Sequence, residues 1–188
     1  MLFRSISIYE DGTVDATSKY FQINDHEGLV EDIDILSEKD VDTALLLLNN
    51  YLEKFKYHQI FTKQDFIKLF LNNKFITCLV IKNNDGSIVD IASYYKLQTK
   101  SLKTNKIINK ACLFYYTSNT ITKYSVGRLL LSIAKTEGLD VFCATNVMNN
   151  MDLIENNRFV LSNGKSYFYL YNWNYNEVKS NELSAYVL

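Results

Sequence analysis

At 188 residues the chain is long enough for one domain with a substantial core and too short for two comfortable ones. Its 47% hydrophobic and 14% aromatic content excludes a disordered chain, and 20 basic against 21 acidic residues exclude a global pull toward nucleic acid. Three scattered cysteines (Cys78, Cys112, Cys143), no signal-peptide pattern and no apolar run longer than ALLLL at 44–48 point to a soluble, cytoplasmic protein without a membrane span.

In chain order, Asp11-Gly12 between two short apolar runs predicts a hairpin turn. Ser37 and Asp40 have the spacing of a capping box. Behind them Val41, Ala44, Leu45, Leu48, Leu52 and Phe55 recur at helical spacing, which predicts an amphipathic helix over 38–56. Thr62 and Asp65 repeat the cap ahead of a shorter helix carrying Phe66, Leu69 and Phe70. FITCLVI, NNDG and SIVDIASYYKL read as strand, turn and strand. ACLFYYTS predicts another strand, and Ser125 is the expected cap of a helix presenting Val126, Leu129, Leu130, Ile133 and Ala134, stopped at Gly138. LDVFCAT reads as a strand, NMDLIENN as a short helix and SYFYLYNW as a strand. The final ELSAYVL alternates, with Leu183, Ala185 and Val187 on one side, so a buried last strand is expected. Hairpins mixed with helices predict an α+β fold of mixed α/β layers, organised as a single domain over 1–188.

Few residues carry chemistry by spacing alone. His26 and His58 belong to no metal-ligand pattern and read as surface histidines, and no metal site is expected. Each cysteine lies in an apolar, strand-like run and reads as a buried thiol. Lys96, Lys100, Lys103, Lys106 and Lys110 form a basic stretch that a solvated hairpin loop explains, though it could also receive a phosphate or an acidic partner.

A longer block is more specific. LDVFCATNVMNNMDLIENNRFVLSNGKSYFYLYNW, at 139–173, resembles the C-terminal region of the eukaryotic N-myristoyltransferases. LVIKNNDGSIVDIASYYKL and KYFQI resemble strands that the family places upstream of it. The resemblance implies the acyl-CoA N-acyltransferase, acetyltransferase-like fold. In acetyltransferases of that fold the strand–loop–helix junction here occupied by YYTSNTITKYSVGRLLL holds the CoA pyrophosphate on a glycine-rich turn. Gly127 is the one glycine present in it, and it falls inside the helix. The resemblance is to the C-terminal half of the N-myristoyltransferases, and this half is therefore expected to bind no cofactor of its own, with myristoyl-CoA as the acyl donor.

The resemblance further implies transfer of myristate from myristoyl-CoA to the N-terminal glycine of proteins, with the α-carboxylate of Leu188 as catalytic base. Thr99 stands where the family has a serine that meets the substrate, and Cys112 where it has an aromatic. Asn163 and Gly164 stand in a loop where the family pairs an acid with a basic substrate residue. Ser166 and Val187 stand where leucines line the peptide groove. Residue 1 falls past the family's myristoyl-CoA site. The expected partners are thus N-terminal-glycine peptides, and a homodimer or a complex with a myristoyl-CoA-binding half. The alternatives are a non-catalytic module holding such peptides and a stand-alone acetyltransferase of the same fold.

Overall fold

The computed structural model describes residue 22 and residues 32–102, 104–160 and 164–186. The Asp11-Gly12 turn, Lys103, Asn163, Val187, Leu188 and, apart from Gln22, the KYFQI run lie outside the described residues.

A five-stranded sheet carries the fold. Its spatial order is β1 (Ile33–Ile35), β3 (Ile76–Lys82), β4 (Ile88–Lys100), β5 (Ile107–Tyr116) and β6 (Val141–Cys143). Neighbours run antiparallel as far as β5, and β6 joins β5 in parallel. A second, two-stranded parallel ribbon pairs β2 (Tyr57–His58) with β7 (Leu183–Ser184), tying the C-terminal segment to the chain's first half.

The local signals behave as their chemistry requires. Ser37 and Asp40 form the expected box, with the Ser37 N–H donating to Asp40 Oδ2 at 3.0 Å. A 3-10 turn at Glu38–Asp40 leads into α1 (Val41–Leu52), which buries Val41, Ala44, Leu48, Tyr51 and Leu52. Thr62 caps α2 (Lys63–Phe66) by accepting from the Asp65 N–H at 3.2 Å, and the helix widens into a π-turn over Ile67–Leu71. That π-turn presents Phe70 to Phe61, Phe66 and Phe114, with ring centroids 4.7–5.6 Å apart. The β3–β4 hairpin turns through NNDG, where Gly86 takes φ +83°, a conformation costly for any residue with a Cβ.

Three expectations need correction. The cap of α3 (Lys123–Thr136) is Thr122, not Ser125: the Thr122 hydroxyl accepts from the Ser125 N–H at 3.1 Å, so Ser125 stands three residues inside. SYFYLYNW is not a strand. Tyr169 and Tyr171 are 82% and 90% exposed, because β-propensity needs a sheet edge to pair with and this segment pairs with none among the described residues. The last strand is only two residues long. Its buried member is Ser184, while Leu183 and Ala185 stay partly exposed.

Gly127 serves packing. A Cβ there would sit 2.3 Å from Asn157 Nδ2, and that amide donates to Leu153 O and Tyr124 O, joining α3 to α4 (Met151–Asn156). Overpacking a buried contact costs about 1–3 kcal/mol, against about 1 kcal/mol gained when alanine replaces a helical glycine. Gly127→Ala should therefore lower stability in denaturant unfolding. In an Asn157→Ala background the same change should become neutral or stabilising, because the atom it displaces is gone.

Candidate functional site

One irregularity in the sheet shapes the site. Ala92 pairs with Tyr116 and Tyr94 with Leu113, so β5 carries one more residue than β4 over this interval. A bulge of this kind re-aims side chains. Here it sends the consecutive rings of Phe114 and Tyr115 toward the same neighbours, Phe70 and Tyr186.

Tyr186 is thereby held from several directions. Its ring meets Tyr115 edge-on at 5.0 Å, its N–H donates to the Tyr115 hydroxyl at 3.3 Å, and its own hydroxyl accepts from Asn150 Nδ2 at 3.2 Å. Asn150 is fully buried and also accepts from the Tyr116 hydroxyl and donates to Thr145 O. Burial pushes the Tyr115 phenol up to about 12 and raises that of Tyr186 as well, so both hydroxyls stay protonated at neutral pH.

Beside this anchor lies an open cavity of about 430 Å³. Its floor is a row crossing three strands, in which Tyr95 of β4 faces Cys112 of β5 and Cys112 faces Cys143 of β6. The loop after β6 forms one wall through Asn146 and Val147. Lys165, Ser166 and Phe168, with Leu183, Ala185 and Tyr186, form the other. The walls meet where Asn146 Nδ2 donates to the Ser180 hydroxyl at 3.1 Å.

The loop wall is itself propped. Met148 and Asn149 both adopt positive φ, and Lys123 Nζ donates to Asn149 O at 2.6 Å and to Met148 O at 3.4 Å. Burial lowers the Lys123 pKa. Lys123 opens α3, and α3 in turn is set by a buried carboxylate. Asp90, fully buried in β4, accepts from the Thr117 and Thr120 hydroxyls at 2.6 Å each. It also accepts the backbone N–H groups of Asn119 (2.7 Å), Thr120 (2.8 Å) and Ile121 (3.2 Å).

The cavity brings together only part of the predicted set. Cys112 and Ser166 line it. Thr99 lies four residues beyond Tyr95 along β4, opposite Ile108 and off the cavity wall. Gly164 is exposed, one residue before the wall begins at Lys165. Asn163, Val187 and Leu188 are outside the described residues, the last two immediately following Tyr186. Sequence reasoning missed Tyr95, Cys143 and Tyr186, whose roles depend on strand register. The lysine stretch is not simply a solvated loop, since Lys96 Nζ pairs with Glu137 at 2.7 Å.

Comparison with known proteins decides the relationship. Residues 6–185 match the myristoyl-CoA:protein N-myristoyltransferase C-terminal domain. The chain belongs to that family. It is 31% identical over 163 residues to the glycylpeptide N-tetradecanoyltransferase of Plasmodium falciparum, covering 86% of this chain and 40% of that protein. Over 156 residues it is 28% identical to the Drosophila melanogaster enzyme, covering 81% and 33%. The chain thus spans less than half the length of these N-myristoyltransferases.

The fold agrees. The crystal structure of Saccharomyces cerevisiae N-myristoyltransferase with bound myristoyl-CoA superposes with a TM-score of 0.72 at 20% identity, over 84% of this chain and 43% of that one. A predicted acetyltransferase from Clostridium acetobutylicum, solved with acetyl-CoA, superposes with a TM-score of 0.60 at 13% identity, over 77% of this chain and 99% of that one. The α+β architecture is therefore that of the acyl-CoA N-acyltransferases. No helix among the described residues is long and apolar enough to cross a membrane.

Proposed function

We propose that residues 1–188 act as one domain forming the acceptor side of N-myristoyl transfer, holding a peptide by its N-terminal glycine while a separate surface presents myristoyl-CoA. The observation that carries this reading is the cavity over Tyr95, Cys112 and Cys143, walled by the C-terminal segment of an N-myristoyltransferase C-terminal domain. Cys112 would contact the peptide from the floor, with Ser166 and Gly164 at the rim. Thr99 and Asn163 would meet residues further along it.

The glycine amine must lose a proton before it can attack a thioester, since an α-amino group has a pKa of about 7.7–8.0. In this reading a free carboxylate at Leu188 takes that proton and orients the amine by a charge-assisted hydrogen bond. Anchorage of Tyr186 supports it, because two residues reach at most about 7 Å from a fixed point. Occupation of the β5–α3 loop supports the donor-side assignment. The N–H groups that an acetyltransferase would offer to CoA are spent on Asp90.

The test is an acylation assay with labelled myristoyl-CoA and a glycine-initiated peptide, with and without the separate myristoyl-CoA-binding half of an N-myristoyltransferase. The expected outcome is that the chain binds the peptide alone and transfers myristate only when a myristoyl-CoA-binding half is supplied. A homodimer that acylates by itself would show that a second copy can take that part.

A further inference from the structure

Of the three cysteines, two are brought together by strand register. Cys112 and Cys143 are direct partners across β5 and β6 and both line the cavity, whereas Cys78 lies in β3 and is fully enclosed. Neighbouring strands stand about 4.8 Å apart, inside the Cα separation of about 4.4–6.8 Å that a disulfide needs. Both thiols are free, and β6 is an edge strand of three residues ending at Cys143, so little sheet must move to join them.

Their surroundings make the two thiols unequal. Cys112 stands between Tyr95 and Cys143 as its register partners on the two neighbouring strands, and the Lys110 ammonium two residues away contributes favourable charge. The neighbouring Cys143 thiol outweighs burial and lowers the Cys112 pKa, and the same contact raises that of Cys143. By contrast, burial pushes Cys78 up to about 12. A thiolate opening on a cavity beside a second thiol is the arrangement of a peroxide-reactive cysteine with its resolving partner.

We propose that Cys112 is a peroxide-reactive modification site and Cys143 its resolving thiol, so that oxidation closes a disulfide across the cavity floor. In the first step the Cys112 thiolate attacks one peroxide oxygen. The O–O bond breaks, an S–O bond forms and hydroxide leaves, oxidising Cys112 to a sulfenic acid. The Cys143 sulfur then attacks the Cys112 sulfur, the S–S bond forms, and the hydroxyl departs with the Cys143 proton as water. Peroxide is the oxidant, and one peroxide is consumed per disulfide. The consequence for peptide binding rests on the reading of the cavity as a peptide groove, because the new bond rebuilds its floor.

Reduced protein treated with hydrogen peroxide should lose the mass of two hydrogen atoms, and peptide mapping should link Cys112 to Cys143 and leave Cys78 free. Dithiothreitol should reverse the change, and the rate should climb as pH is raised. Cys143→Ser should stop at a dimedone-trapped sulfenic acid on Cys112, while Cys112→Ser should leave Cys143 unreacted. The wild-type arm requires no variant to fold. Absence of the crosslink in peroxide-treated wild type, or equal oxidation of Cys143 in Cys112→Ser, overturns the proposal. Oxidised protein should bind a glycine-initiated peptide at least about tenfold more weakly than reduced protein. Failure of reduced protein to bind that peptide would instead count against the groove, since the crosslink is read by mass alone.

Discussion

Adding one residue after Leu188 should lower myristate transfer by about a hundredfold in the presence of a myristoyl-CoA-binding half, with the melting temperature almost unchanged. The added residue moves the carboxylate by about 3.3 Å, well beyond the tolerance of a hydrogen bond. A misplacement of about 1 Å at a reacting group can already cost on the order of a hundredfold in rate. Stability should not follow, because the C-terminal segment is held upstream, through Ser184 in the β2–β7 ribbon and Tyr186 on Tyr115 and Asn150. Deleting Leu188 shifts the charge the other way and should be as harmful. Leu188→Met keeps the carboxylate where it was and should be mild. If the extended protein transfers myristate like the parent, another group takes the proton.

Asp90→Ala should lower stability by about 3 kcal/mol in denaturant unfolding with an unchanged m-value. Five donors converge on this fully buried carboxylate, three of them backbone N–H groups that no rotamer change can redirect. Its removal strips all five of their acceptor and leaves the buried Thr117 hydroxyl without it, where an unpaired polar group costs about 1–3 kcal/mol, while water can reach the exposed Asn119 and Thr120. Asp90→Asn keeps the volume but turns one acceptor into a donor. Since both Oδ atoms receive donors, it should recover only part of the loss. The effect should also reach the cavity, because the 117–121 loop sets the start of α3, from which Lys123 props the positive-φ residues Met148 and Asn149. An Asp90→Ala protein as stable as the parent would mean that the loop finds other acceptors.

Much of this architecture is written locally. Ser37 with Asp40, Thr62 with Asp65, and NNDG between two apolar runs each satisfy backbone groups within a few residues, so their outcome needs no knowledge of the rest of the fold. The segment at 166–173 departs from its strand reading for the opposite reason. Alternating tyrosines in SYFYLYNW report a preference for pleated, half-buried backbone, but not whether an edge is available, and those rings remain exposed. The site was legible only through resemblance, and then in part. Cys112 and Ser166 reach the cavity, whereas Thr99 stands beyond it on β4. Cys143 carried no signal at all, because its partnership with Cys112 arises from parallel pairing between distant segments. Tyr186 is anchored partly by Tyr115 beside a one-residue bulge in β5 that no local pattern announces, and partly by the distant Asn150.

The most direct test of the acceptor-side account is a calorimetric titration of this chain with one peptide in two forms, a free N-terminal glycine and the same sequence N-acetylated. The account predicts binding of the free form and at least about tenfold weaker binding of the blocked form, which can neither carry the charge nor donate the hydrogen bonds of an ammonium. Equal affinity for the two forms, or none for either, would contradict it.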